Sequence, residues 1–153
     1  MVAAYSVFAD GGKRANQTSI LKIHDKYGDI LEQPERVKEQ ALSAETAFII
    51  SSILSDNKAR SATFGSRSPL YTKKVTAVKT GTTDSYADSW TVGYSPDLVV
   101  GVWMGNNDRK PMRRVSGVEG AAFIWNGVIE ECMIDYPNTP FTEPTGIKKA
   151  YIN

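Results

Sequence analysis

The sequence holds one cysteine, Cys132, and one histidine, His24, among its 153 residues. A single thiol excludes an intramolecular disulfide framework and any multi-cysteine metal site, and it leaves the redox compartment open. One imidazole cannot build a histidine-rich metal centre, and it leaves no Ser/His pair beyond that lone residue. Long apolar runs are missing too. Stretches such as Ala47-Phe48-Ile49-Ile50 fall far short of the roughly 18–20 residues that cross a bilayer. Neither charge dominates: the formal net charge is +1, with both signs scattered. There is therefore no basic stripe for nucleic acid and no acidic tail of the disordered kind. Met1 runs straight into Val2-Ala3-Ala4-Tyr5-Ser6-Val7-Phe8-Ala9 with no charged leader region. That opening has the pattern of a helix interior, so the expectation is a chain whose upstream sequence lies elsewhere.

What is present is ordinary globular material. The sequence is 41% hydrophobic and 23% charged, enough for one domain with a core. Residues 2–10 read as a buried helix that ends at Asp10-Gly11-Gly12, where glycine suits the left-handed position after a helix. Residues 18–24 read as a strand, Asp25–Asp29 as a turn and Ile30–Glu32 as a return strand, together a small hairpin. Ser43 is the expected N-cap of a helix over 44–54 whose stripe is Ala47, Ile50 and Leu54, broadened by Phe48, Ile49 and Ile53. Residues 55–73 read as a loop of functional interest.

Three strands are expected next, over Val75–Thr83, Ser89–Tyr94 and Leu98–Met104. Tyr94-Ser95-Pro96-Asp97 is a turn signal, and both connections are too short for a parallel crossover, so the pairing should be antiparallel. A last helix is expected over 118–132, burying Ala122, Trp125, Ile129 and Cys132, with Val128 beside them. Residues 137–153 carry Pro137, Pro140 and Pro144 and read as a tail or linker after a domain over 1–136. The fold class is α+β, helices packed on an antiparallel sheet.

The informative segment is Val78-Lys79-Thr80-Gly81-Thr82-Thr83. Lys-Thr-Gly alone is weak, since an isolated match is most often a strand end running into a turn. Its context is more specific. Asp88-Ser89-Trp90-Thr91-Val92-Gly93-Tyr94-Ser95-Pro96 and Val102-Trp103-Met104-Gly105 follow it, and Ala3–Gly12, Ser52–Asn57, Arg60 and Phe64-Gly65 precede it. In this order, from about residue 2 to 132, the motifs resemble the transpeptidase domain of bifunctional class A penicillin-binding proteins, here its C-terminal half.

The resemblance implies a partial fold of the serine β-lactamase and penicillin-binding protein type. It implies acyl-D-Ala-D-Ala stem peptides of peptidoglycan as substrates and β-lactams as their mimics. Lys79, Thr80, Gly81, Thr82 and Thr83 would bind substrate. Lys79 brings a cation, Thr80 and Thr82 bring hydroxyls, and Gly81 lets a ligand lie against the strand. Lys79 and Thr82 would act in catalysis, the Thr82 N–H as one oxyanion-hole donor. Trp90, Tyr94 and Trp103 read as sheet packing, Asp84 and Asp88 as turn residues, and His24 as a surface hairpin residue.

Two decoys match the S-x-x-K nucleophile pattern, Ser19…Lys22 and Ser55…Lys58, and Ser55-Asp56-Asn57 also matches S-D-N. In the family the nucleophilic serine opens a helix and precedes this whole stretch. Ser19 falls in an expected strand and Ser55 at a helix C-terminus, so no nucleophile is assigned to this chain. No metal or cofactor is expected, and no membrane contact from this segment. The resemblance implies a place on the extracytoplasmic face of the bacterial membrane, anchored by sequence not present here, with the missing N-terminal half of the domain as a partner. Two alternatives stay open. One is a non-catalytic binding or scaffold module on the same sheet, and the other is a β-lactamase or D,D-carboxypeptidase relative with water as acceptor.

Overall fold

The structure is a computed structural model describing residues 1–113 and 118–150. Four α-helices and seven strands are found among these residues: α1 Val2–Ala9, β1 Lys13–Ala15, β2 Ile23–His24, β3 Ile30–Glu32, β4 Lys38–Gln40, α2 Ala44–Ser55, α3 Asn57–Phe64, β5 Ala77–Thr82, β6 Asp88–Tyr94, β7 Val99–Gly105 and α4 Ala121–Cys132. The central sheet is β5-β6-β7, antiparallel throughout. Short connections allow nothing else: Ser95 N–H donates to Leu98 O, and the Ser95 hydroxyl accepts from the N–H groups of Asp97 and Leu98.

Side chains alternate across a strand, so each face of this sheet has its own partners. Tyr94, Val92 and Trp90 share a face with Ala77, Lys79 and Gly81, the residues they pair with on β5. That face meets α1 and α2. The Tyr94 ring lies 6.3 Å from both Tyr5 and Phe8, and its hydroxyl is 3.0 Å from Ser51 Oγ. The opposite face carries Gly93, Thr91 and Ser89 and receives α4. Leu70, Val78, Ala122, Trp125, Ile129 and Met133 form its buried cluster, with Val100 and Val102 against it. Fully burying an aliphatic side chain such as Ile129 is worth about 1.5–3 kcal/mol, so this layer fixes where the sheet lies. Gly93 permits the contact: a Cβ there would sit 2.2 Å from Trp125 Cζ2 and 3.0 Å from Ala77 O.

The helices differ in detail from the sequence reading. Helix α2 forms as expected, with Ser43 Oγ accepting from Thr46 N–H. Its inward residues are Ala47 and Ser51, while Ile49 and Ile53 are exposed. Helix α1 ends as expected, with Gly11 at φ +58° and Gly12 N–H reaching back to Val7 O. It is not buried as a whole; Val7 is its one buried residue, because α1 lies on the outside of the sheet. Helix α4 begins at Ala121, not at 118, and turns Met133 inward in place of Cys132 and Val128, both exposed. The inward positions 122, 125, 129 and 133 keep the helical spacing, and a step of four at the end replaces the step of three.

Two expectations are overturned. Residues 55–73 are not a loop, since α3 occupies Asn57–Phe64. Asp56 caps it, its carboxylate accepting from Ala59 N–H at 2.9 Å, so a capping residue and not an apolar stripe makes this helix. Residues 18–24 are not one strand. Only Ile23–His24 pair with β3, and Thr18 ties residues 18–20 into a turn, its hydroxyl bonded to both Ile20 O and Ile20 N–H. The unexpected pairing is β1 with β4, which encloses the hairpin. His24 sits on that surface hairpin, Nδ1 3.0 Å from Gly28 O.

Residues 137–150 contain no helix or strand, and 151–153 lie outside the described residues. The segment packs closely all the same. Phe141 stands edge-on to Tyr94 at 5.6 Å, and Asn138 Oδ1 accepts from Val75 N–H. Lys74 Nζ donates to the carbonyls of Met133, Ile134 and Tyr136 at the end of α4, where a cation also suits the helix dipole.

Candidate functional site

Strand β5 is an edge of its sheet, with β6 on one side only. In an antiparallel pair a residue sends its N–H and C=O to the same side, and successive residues alternate. Thr83 N–H donates to Asp88 O, which fixes the odd positions as those facing β6. Lys79 and Gly81 therefore bond toward β6, and the backbone groups of Thr80 and Thr82 point away from it. Lys79 supplies an independent check: its Nζ folds along the outer edge and donates to Thr80 O.

The five residues singled out in the sequence are brought together but not equally. Lys79, Gly81, Thr82 and Thr83 are exposed, and Thr80 is half-buried. Among the described residues no carboxylate lies within ion-pair distance of Lys79. The cation is thus available to an incoming anion. A Cβ on Gly81 would find only Trp90 Cβ, at 3.9 Å, so the bare glycine leaves a shallow place beside the strand without any demand from within this chain. Thr83 stands apart. Its hydroxyl accepts from Asp88 N–H at 2.9 Å, and its carbonyl accepts from Tyr86 N–H, so it closes the β5–β6 turn.

A groove of about 160 Å³ runs beside this edge, lined by Ile53, Leu54, Arg60, Phe64, Lys79 and Thr80 among others. Arg60 is held at its wall, Nη2 donating to Leu54 O at 2.8 Å. Burial lowers the pKa of its guanidinium, and Asp56 opposes that shift. Arginine remains a cation through such a shift. The edge therefore brings together the exposed Lys79 cation, an apolar wall and backbone groups directed away from β6, with Arg60 bound to the carbonyls of Leu54 and Asp56 at the wall; a cation beside a strand edge is chemistry that can hold a carboxylate. Reading 55–73 as a loop concealed Arg60 and Phe64 as groove residues, and the Asp56 cap was the signal that could have found them.

Asp84 lies in the β5–β6 turn as expected, whereas Asp88 is the first residue of β6 and Trp103 is exposed on β7. Tyr94 is fully buried, and that burial raises its pKa, with the Ser51 hydrogen bond acting in the opposite direction. Asp88 opens β6, and its Oδ1 accepts from Trp103 Nε1 at 2.9 Å. Ser55, one of the decoys, is the last residue of α2, and its hydroxyl donates to Ser52 O. Ser19 lies in the turn before β2, not in a strand. Neither serine opens a helix. Among the described residues no cluster of His, Cys, Asp or Glu could hold a metal ion, and no helix is long and apolar enough to cross a membrane.

Fold and site together define a class: an α+β sheet sandwiched by helices, with Lys-Thr-Gly-Thr on its edge strand β5. The model of the penicillin binding protein transpeptidase domain matches residues 1–123, and the chain belongs to that family. Penicillin-binding protein 2D of Bacillus subtilis (strain 168) is 30% identical over 158 residues, covering 100% of this chain and 23% of its own length. Among solved structures, penicillin-binding protein 1A of Haemophilus influenzae superposes with a TM-score of 0.81 at 23% identity, covering 94% of this chain and 27% of that one. PonA1 of Mycobacterium tuberculosis, solved in complex with penicillin V, superposes with a TM-score of 0.77 at 22% identity, over 95% of this chain and 40% of that one. The chain thus spans about a quarter of the relative it matches. The α+β fold expected from the sequence is the fold of these proteins.

Proposed function

We propose that this chain is the substrate-receiving part of a serine-type D-Ala-D-Ala transpeptidase of the class A kind, which cross-links peptidoglycan. Residues 1–136 form the C-terminal part of that domain and 137–153 its tail. Lys79 attracts the terminal carboxylate of an acyl-D-Ala-D-Ala stem peptide, and Thr80 and Thr82 offer hydroxyls to it, while Thr83, expected from the sequence to bind substrate as well, has its hydroxyl in the β5–β6 turn. The Thr82 N–H steadies the oxyanion as a serine attacks the penultimate carbonyl. D-Ala then leaves, and the acyl group passes to an amine of a neighbouring stem. β-Lactams enter the same site as substrate mimics. The serine and its lysine come from the N-terminal half of the domain, outside this chain, and no cofactor is required. The site works on the extracytoplasmic face of the bacterial membrane.

The observation that supports this reading best is the direction of β5. The strand places a cation unpaired with any described carboxylate on an open edge whose Thr80 and Thr82 amides point away from β6. The test is incubation with a fluorescent penicillin followed by denaturing electrophoresis. The full-length protein carrying this segment takes a covalent label, and the isolated 153-residue chain takes none. Label on the isolated chain would show that a serine such as Ser19 or Ser55 is a nucleophile after all.

A further inference from the structure

We propose that Asp88 and Trp103 are positioning residues, whose hydrogen bond holds the β5–β6 turn and through it sets the angle of the Thr82 amide. The inference rests on the transpeptidase reading above. The turn needs a support. It runs from Thr83 to Asp88 and closes on itself through Thr83 N–H to Asp88 O, Asp88 N–H to Thr83 Oγ1 and Tyr86 N–H to Thr83 O. Tyr86 adopts φ +56° within it, a left-handed conformation that side-chain-bearing residues rarely hold unless the surroundings impose it. Thr82 is the residue next to Thr83, so any rotation of the turn is passed to the Thr82 peptide.

The support comes from the far strand. Asp88 pairs with Gly105 across β6 and β7, not with Trp103. The indole reaches Asp88 only by lying over Gly105, where a Cβ would stand 2.6 Å from Trp103 Cζ2 and 2.7 Å from Ala87 O. A bare glycine, an indole laid across it and an N–H aimed at Oδ1 at 2.9 Å form one device. Trp90, the partner of Gly81, backs it with its ring 6.4 Å from Trp103. Met112 N–H adds a bond to Tyr86 O from beyond β7. Exposure separates positioning from packing. Trp103 is 42% exposed, while Trp125 on the other face is 0% exposed. An indole kept for its apolar bulk would be buried; this one is kept at the surface with its polar edge spent on Asp88.

The experiment uses the full-length protein and fluorescent penicillin, with the acylation rate constant resolved from the dissociation constant of the preceding complex. Trp103→Phe keeps a ring and removes the donor, and Asp88→Ala removes the acceptor. Each should lower the acylation rate constant about tenfold, less than the 10²–10³ of losing an oxyanion donor outright, and leave the dissociation constant within about twofold. Asp88→Asn retains an acceptor oxygen and should restore the rate constant to within about twofold of wild type. Circular dichroism provides the folded fraction by which each rate is normalised. A normalised rate constant unchanged in both variants, or an Asp88→Asn protein as slow as Asp88→Ala, overturns the positioning role while the labelled wild type keeps the transpeptidase reading. A wild-type protein that takes no label overturns both.

Discussion

Ser51 and Tyr94 meet by hydroxyl at 3.0 Å with both side chains buried, at the junction of α2 and the sheet. A buried polar group that loses its partner bears its full desolvation cost, about 1–3 kcal/mol, whereas losing both partners together is far milder. Ser51→Ala and Tyr94→Phe should therefore each destabilise the chain by about 1–3 kcal/mol, and the double variant by clearly less than their sum. Urea denaturation of the three proteins measures this coupling, and strict additivity would show that the two hydroxyls act independently. The sequence marked Tyr94 as packing, and it is. Nothing in the sequence pointed to Ser51, because a serine within an apolar helix stripe gives no sign of the tyrosine it will meet 43 residues later. The same limit applied at the edge strand. Residue types alone nominated Lys79, Thr80, Gly81, Thr82 and Thr83 together, and only the backbone directions separate the outward Thr82 from Thr83, which is committed to the turn.

Whole elements were legible where local chemistry and tertiary packing agree. The three strands and the α2 start fall within two residues of where turn signals, alternation and the Ser43 cap put them. Helix α3 has no buried residue, and β1 and β4 lie mostly exposed, so these three leave no hydrophobic period to detect, whereas the exposed β2–β3 hairpin was legible from its Asp25–Asp29 turn. The close approach of β6 and α4 carries a prediction of its own. Gly93→Ala puts a methyl group 2.2 Å from an indole carbon that is fully buried and cannot swing aside. Overpacking of this kind costs about 1–3 kcal/mol and should lower the thermal midpoint by several degrees. Gly81→Ala, open to solvent with its nearest contact at 3.9 Å, serves as the control that leaves the midpoint almost unmoved. Equal melting of both variants would mean that α4 does not press on β6 as described.

The described residues are organised around the β5-β6-β7 sheet, with β5 as one of its edges. Helix α4 braces the sheet from one face, α1 and α2 from the other, and the 137–144 segment locks Tyr94 and Val75 from outside. This leaves β5 with helix-lined space along one side and the β5–β6 turn clamped at its end. Ile49 and Ile53 on α2 remain exposed at 49% and 64%, an apolar surface on the α2 side of the groove. Domain membership was legible because the motifs span the chain in order. The groove was not, since it is assembled from α2, α3 and β5, and α3 was hidden. Lys79 is proposed to receive the substrate carboxylate, and the acylation rate of full-length Lys79→Ala protein by a fluorescent penicillin tests it. A charge-assisted contact of about 1.5–3 kcal/mol corresponds to a loss of about 10- to 150-fold, with the circular dichroism spectrum and melting midpoint unchanged because the side chain is exposed. A folded Lys79→Ala protein acylated within about twofold of the wild-type rate would contradict the account.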